Sequence, residues 1–163
     1  MQSKLKVERV LAIDPGFDRV GVAILENNLV LFSECIITDR KNSHGERLGQ
    51  IGYEINKIIK KWKPGSLAIE TLFFNQNVST AIKVAEARGV VIYEASKKGL
   101  EIFEYSPQAI KIAVTGYGKA NKQQVENMLQ KLVKFPTEEA KKLDDELDAI
   151  ALGITHLATQ RGI

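Results

Sequence analysis

The chain has 163 residues, enough for one domain with a sizeable core and cramped for two. Its hydrophobic content of 44% and charged content of 26% exclude a wholly disordered chain, and no run approaches the ~18 apolar residues of a membrane-spanning helix. A net charge of +3 permits a nucleic-acid partner without requiring one, and the lone Cys35 rules out an intramolecular disulfide and fits a reducing compartment.

With no charged-then-apolar leader, the expectation is a soluble cytoplasmic protein folded as one domain over residues 1–163. Residues 1–9 are polar and lead into the run Val10–Leu25, which is apolar except for Asp14 and a glycine turn. An aspartate after four apolar residues sits at the exposed end of a buried strand, where Pro15 and Gly16 turn the chain and leave the carboxylate facing a cleft. That placement suits a metal or phosphate site. For this stretch alone, an Asp-Pro-Gly turn with nothing bound is the competing reading.

A second strand is predicted from Val20 to Leu25, a tight turn at Asn27-Asn28, and a third strand from Leu29 to Thr38. Ser43 and Glu46 make a capping box for a helix whose Leu48, Ile51, Ile55, Ile58, Ile59 and Trp62 recur at helical spacing until Pro64-Gly65. Its basic end, Lys57, Lys60, Lys61 and Lys63, reads as a solvated face. Ser66 to Ile69 is a fourth strand ending in Glu70, which repeats the arrangement of Asp14. Acidic residues are depleted in strands, so two at strand ends are easier to explain as one site than as two accidents.

After the loop containing Phe73 and Phe74, a helix is expected from Val78 to Lys97 and a fifth strand from Glu101 to Tyr105. Ser106 and Pro107 open another helix, and Lys111 to Lys122 reads as a glycine-punctuated basic turn. Asn121 caps a helix to about Val133, Pro136-Thr137 separates it from the next, and the last runs from near Asp144 to Thr159. Asp144, Asp145, Glu146 and Asp148 crowd the first turn of that last helix. Helix-dipole electrostatics alone would account for them.

If the first and fourth strands lie side by side beneath the last helix, three or four carboxylates meet. Like charges at short range raise each other's pKa, so such a cluster calls for a cation. Hard oxygen donors select Mg²⁺ or Mn²⁺, and two such ions can activate a water and stabilise the leaving oxygen of a phosphodiester. The lysines of the basic turn would neutralise phosphate, and Phe73 and Phe74 could stack on an unpaired base.

Five motifs carry a resemblance to a family: Ile-Asp-Pro-Gly at 13–16, Ile-Glu-x-x-Phe-Phe at 69–74, Ala-Arg-Gly at 87–89, Lys-x-x-x-x-Gly-x-Gly-x-Ala-x-Lys-x-Gln-Val at 111–125 and Asp-x-x-Asp-Ala-x-Ala at 145–151. In this order and spacing, across almost the whole chain, the sequence resembles the RuvC family of bacterial crossover-junction endodeoxyribonucleases. The resemblance implies an α/β fold of the ribonuclease H-like type, with a five-stranded mixed sheet flanked by helices. It further implies a homodimer, Mg²⁺-dependent symmetric nicking of four-way DNA (Holliday) junctions during recombination and repair, and RuvA and RuvB as partners.

By the same resemblance Asp14, Glu70, Asp145 and Asp148 correspond to the metal-binding acidic residues. Two Mg²⁺ ions per site are expected, with Mn²⁺ able to substitute. Lys122 is a candidate catalytic residue, and Phe73, Phe74, Arg88, Lys111, Lys119 and Lys122 are candidate DNA contacts. Helical geometry alone also allows Asp144 with Asp148 at i and i+4, whereas the family spacing selects Asp145, leaving Asp144 as the cap. Arg88 could instead close its helix end, and Lys119 could be a solvated turn residue. His156 reads as helix packing, His44 as surface and Cys35 as strand filling.

Three other readings compete. A Yqg-type resolvase-like protein shares the opening strand, but Phe73-Phe74, the lysine turn and the Asp-x-x-Asp ending favour RuvC. A non-catalytic junction binder gains nothing from four carboxylates facing phosphate. An actin-like or sugar-kinase nucleotide site needs two such domains.

Overall fold

The computed structural model describes residues 8–73, 77–135, 142 and 144–161. Five strands and five helices follow in chain order: β1 (Arg9–Asp14), β2 (Arg19–Glu26), β3 (Leu29–Ile37), α1 (His44–Trp62), β4 (Ser66–Glu70), α2 (Val78–Lys97), β5 (Glu101–Tyr105), α3 (Pro107–Thr115), α4 (Lys122–Leu132) and α5 (Asp144–Gln160). The strands form one mixed sheet in the order β3-β2-β1-β4-β5. β1, β2 and β3 pair antiparallel, and β4 and β5 join β1 in parallel. Local chemistry sets several junctions. Asn27 takes φ 57° in the β2–β3 hairpin, and the Ser43–Glu46 capping box opens α1.

Alternation along the strands sorts the core into two layers. Leu11, Ile13, Val22, Ile24, Leu67 and Ile69 pack with α1 and α2 on one face. Val10, Ala12, Ala23, Leu25 and Ala68 pack with α3, α4 and α5 on the other. The second face is lined with small residues, and this lets α5 come close. A Cβ on Gly153 would lie 2.5 Å from Leu25 Cδ1 and 3.3 Å from the Ala12 Cβ.

The basic segment differs from its expected form. Lys111 lies within α3 and Lys122 is the first residue of α4, so the turn shrinks to residues 116–121. The Ser106 side chain accepts from the Ala109 amide, Pro107 starts the helix, and Ile110 and Val114 bury one turn apart, which carries the helix past Lys111. It stops at Gly116, which adopts φ 75°. Phe74 and Pro136-Thr137 lie outside the described residues. Among the described residues no helix is long and apolar enough to cross a membrane.

Candidate active site

The parity that buries Val10 and Ala12 under α5 also turns Asp14 toward α5, and the parity of Ser66 and Ala68 does the same for Glu70. β1 and β4 run parallel with Ile13 beside Ile69, so the two carboxylates end adjacent strands at the same level. The first turn of α5 docks over this edge. Gly21, the cross-strand partner of Asp14, lies directly beneath it: a Cβ there would stand 1.9 Å from the Asp145 carbonyl oxygen. Gly21→Ala is therefore expected to push the start of α5 off the sheet at a cost of about 1–3 kcal/mol, read by urea denaturation. An unchanged midpoint would refute that docking.

Burial and neighbouring charges act on these groups together. Burial first, then the charges of Glu70, Asp148 and Asp145, push the Asp14 carboxyl up to about 8, with Lys122 opposing. Burial and then Asp148 raise Glu70. Asp148 keeps much of its surface open to solvent, but the crowded wall still desolvates it enough to raise its carboxyl, against the pull of Lys122. Lys122 is itself raised, chiefly by its hydrogen bond to Asp144.

Asp144 is the first helical residue of α5, not the cap before it; position 143 lies outside the described residues. Its carboxylate pairs with Lys122 at 2.8 Å, whereas Asp145 is among the charges that raise Asp14. Asp148 thus faces a cavity with Glu70, while Asp144 faces α4 through Lys122.

A cavity of about 250 Å³ opens beside the carboxylates, lined by Glu70, Asp148, Lys111, Lys122, Ile110 and Leu129 among others. Lys111 and Lys122 are thus brought to the site, while Lys119 is exposed on the turn and does not line the cavity. Phe73 follows β4 with 61% of its surface exposed. Arg88 is engaged within the fold. Its Nε donates to the Glu70 carbonyl at 3.1 Å and its guanidinium pairs with Glu104, so it braces the strand end that carries Glu70.

Two contacts were not expected from sequence. Arg19 pairs with Asp145 at 2.6 Å, and Cys35 is not strand filling: it is half-buried, and its thiol donates to the same Asp145 oxygen at 3.8 Å. Burial pushes the Cys35 thiol up, which keeps the proton in place. The shared parity of Arg19 and Gly21 on β2 is the signal that could have pointed to Arg19. His156 is fully buried packing on α5, bonded to Tyr105 and Ser66, and His44 is an exposed residue stacked on Phe17.

The donor set is all hard carboxylate oxygen; burial and then mutual repulsion raise Asp14, Glu70 and Asp148, and a divalent ion would relieve that repulsion. In that sense the residues fit Mg²⁺. Among the described residues, however, no three acidic, histidine or cysteine side chains already stand close enough to hold an ion, so the ligands must draw together.

A five-stranded mixed sheet with helices on both faces and carboxylates gathered at the end of its central strands defines a ribonuclease H-like α/β protein. The family described as "Crossover junction endodeoxyribonuclease RuvC" matches residues 10–156, and the chain belongs to it. A crossover junction endodeoxyribonuclease RuvC from Finegoldia magna is 46% identical over 153 residues, spanning 91% of this chain and 92% of its own. The structure of Thermus thermophilus RuvC in complex with a Holliday junction substrate superposes with TM-score 0.88 at 28% identity, over 95% of this chain and 96% of the other. The yeast mitochondrial Holliday junction resolvase superposes with TM-score 0.71 over 95% of this chain and 80% of the other; at 14% identity it shows the fold alone.

Proposed function

We propose that this chain resolves four-way DNA junctions by hydrolysing one phosphodiester in each of two strands, in recombination and repair. The observation that carries the proposal is that burial and the charges of Glu70, Asp148 and Asp145 act together on Asp14 at the end of β1, in a chain of the RuvC family. Family membership supports junction DNA as substrate, since a relative of the same fold is described with a Holliday junction bound.

Asp14, Glu70, Asp145 and Asp148 are the residues that would hold two Mg²⁺ ions, with Mn²⁺ as a substitute. Ions so held supply an activated water and neutralise the leaving oxygen. The lysines at 111 and 122 line the adjoining cavity and offset phosphate charge where the backbone enters. Lys122 is also near enough to Asp14 and Asp148 to lower both carboxyl pKa values, which suits a role in charge stabilisation at the reacting phosphate. Phe73, exposed beside Glu70, offers a ring for an unstacked base near the junction centre, with Phe74 next in sequence. Lys119 meets the phosphate backbone from the turn. Arg88 serves through Glu70, holding the strand end rather than binding DNA.

Symmetric nicking needs two such sites facing one junction, so the working form is proposed to be a homodimer, acting in the cytoplasm alongside RuvA and RuvB. The test is purified protein on a synthetic four-way junction against matched duplex, with and without Mg²⁺. Paired nicks confined to the junction and dependent on Mg²⁺ are expected. Junction binding with no nicking at any metal concentration would return the protein to the class of non-catalytic binders. In the same assay Phe73→Ala should lower cleavage about tenfold or more and binding by less, as loss of one base-stacking contact implies. Unchanged cleavage would remove Phe73 from the site.

A further inference from the structure

We propose that Arg19 is a positioning residue that holds the Asp145 carboxylate toward β2 and β3 until a divalent ion draws it in. The proposal rests on the reading of Asp145 as a metal ligand and adds to it what competes for that ligand.

The argument starts from the sheet. Arg19, Gly21 and Cys35 share the face under α5, and Gly21 pairs with Cys35 on one side and with Asp14 on the other. The Asp145 backbone sits directly over Gly21, midway across this row. From that point its carboxylate could turn toward β1 and β4, where Asp14 and Glu70 end their strands, or toward β2 and β3. It turns toward β2 and β3. The Arg19 Nη2 meets Asp145 Oδ2 at 2.6 Å, and the Cys35 Sγ approaches the same oxygen at 3.8 Å. Two donors on one oxygen fix the direction of the group.

Asp145 is thus committed to β2 and β3, although its charge still reaches Asp14 and Asp148. The Arg19 cation already satisfies Asp145, so an incoming divalent ion must compete for that carboxylate. The competition is mild, because the Arg19 side chain is 45% exposed and that of Asp145 26%, and ion pairs so open to water are weak. Arg19 can swing into solvent once released. Its effect is therefore a raised metal threshold with the edge held together beforehand, not a block.

The test is calorimetric titration of Mn²⁺ into the metal-free full-length protein without DNA, for wild type, Arg19→Gln, Arg19→Lys, Asp145→Asn and the Arg19→Gln/Asp145→Asn double variant. Arg19→Gln should bind Mn²⁺ about three- to fivefold more tightly, which is the full worth of an exposed ion pair. Arg19→Lys keeps the charge and should stay within about twofold of wild type. Asp145→Asn should weaken binding about tenfold or more, and in that background Arg19→Gln should have no further effect.

If Arg19→Gln binds Mn²⁺ equally or more weakly while Asp145→Asn still weakens it, the clamp is wrong and the ligand assignment stands. If Asp145→Asn leaves affinity unchanged, the ligand assignment itself fails and the clamp fails with it. Should Arg19→Gln not fold, the side-chain Nε–H resonance of Arg19 in the wild-type protein decides. It should shift as Mg²⁺ is added and saturate with the binding isotherm; a resonance that does not move overturns the proposal.

Discussion

Asp14→Asn is expected to abolish nicking and, in EDTA at pH 8, to raise the melting temperature by about 4–8 °C. The reason is the displacement of the Asp14 carboxyl from its ordinary 3.8 to about 8. Between those values the folded chain holds a proton on Asp14 that the unfolded chain has released. Folding therefore takes up a proton, and wild-type stability falls as the pH rises from about 4 to about 8. Each pH unit in that window is worth about 1.4 kcal/mol, and even a fraction of the whole gives about 2 kcal/mol at pH 8. Asparagine has the same shape and no proton to lose, so the gain should be small near pH 4.5, grow with pH, and level off above pH 8. Mg²⁺ should stabilise the wild type and leave the variant nearly unmoved. A variant no more stable at pH 8 than at pH 4.5, relative to wild type, would show that burial and its acidic neighbours do not raise Asp14. A stability gain coupled to loss of function is what an active site built from mutually repelling groups should show.

Glu70→Gln should lower junction nicking by about a thousandfold or more while junction binding measured without Mg²⁺ is kept or slightly tightened. Glu70 adjoins Asp14 across the β1–β4 pair, and its carboxyl is raised by burial and by Asp148, so it faces the same shared space. Glutamine preserves the side-chain volume and leaves the contact from Arg88 intact, because that contact is to the Glu70 backbone carbonyl. What is lost is one negative donor, and the phosphate loses a repelling neighbour at the same time. Gel-shift and nicking assays on one junction separate the two effects. Nicking at the wild-type rate would sink the assignment of Glu70, and binding that fell in step with cleavage would make it a structural residue.

Most of the architecture was legible because it is written in local signals. Alternation marked the strands, and the caps at Ser43 and Asn121 marked the starts of α1 and α4. Asp14 and Glu70 were legible for the same reason, each an acidic residue closing an apolar strand whose parity sets its face. The segment from Lys111 to Lys122 misled because its glycines suggested a turn throughout, whereas the Ser106 cap and two buried apolar residues were enough to extend α3 through Lys111. Cys35 misled because its neighbours in sequence are strand formers, while its partner in space is Asp145.

The acidic residues at element ends, the strand face each occupies and the motif order of the family can all be read along the chain. The tertiary structure separated the partners of Asp144 and Asp145, because one helix turn offers both i, i+3 and i, i+4 neighbours to Asp148 and local geometry cannot choose. The choice comes from the docking of α5 over Gly21, where the missing side chain lets the Asp145 carbonyl approach and sends Asp144 toward Lys122. The same docking put Arg19 against Asp145, 126 positions further along the chain. Such a pairing follows from how strands and helix are stacked, and nothing in the spacing of either segment encodes it.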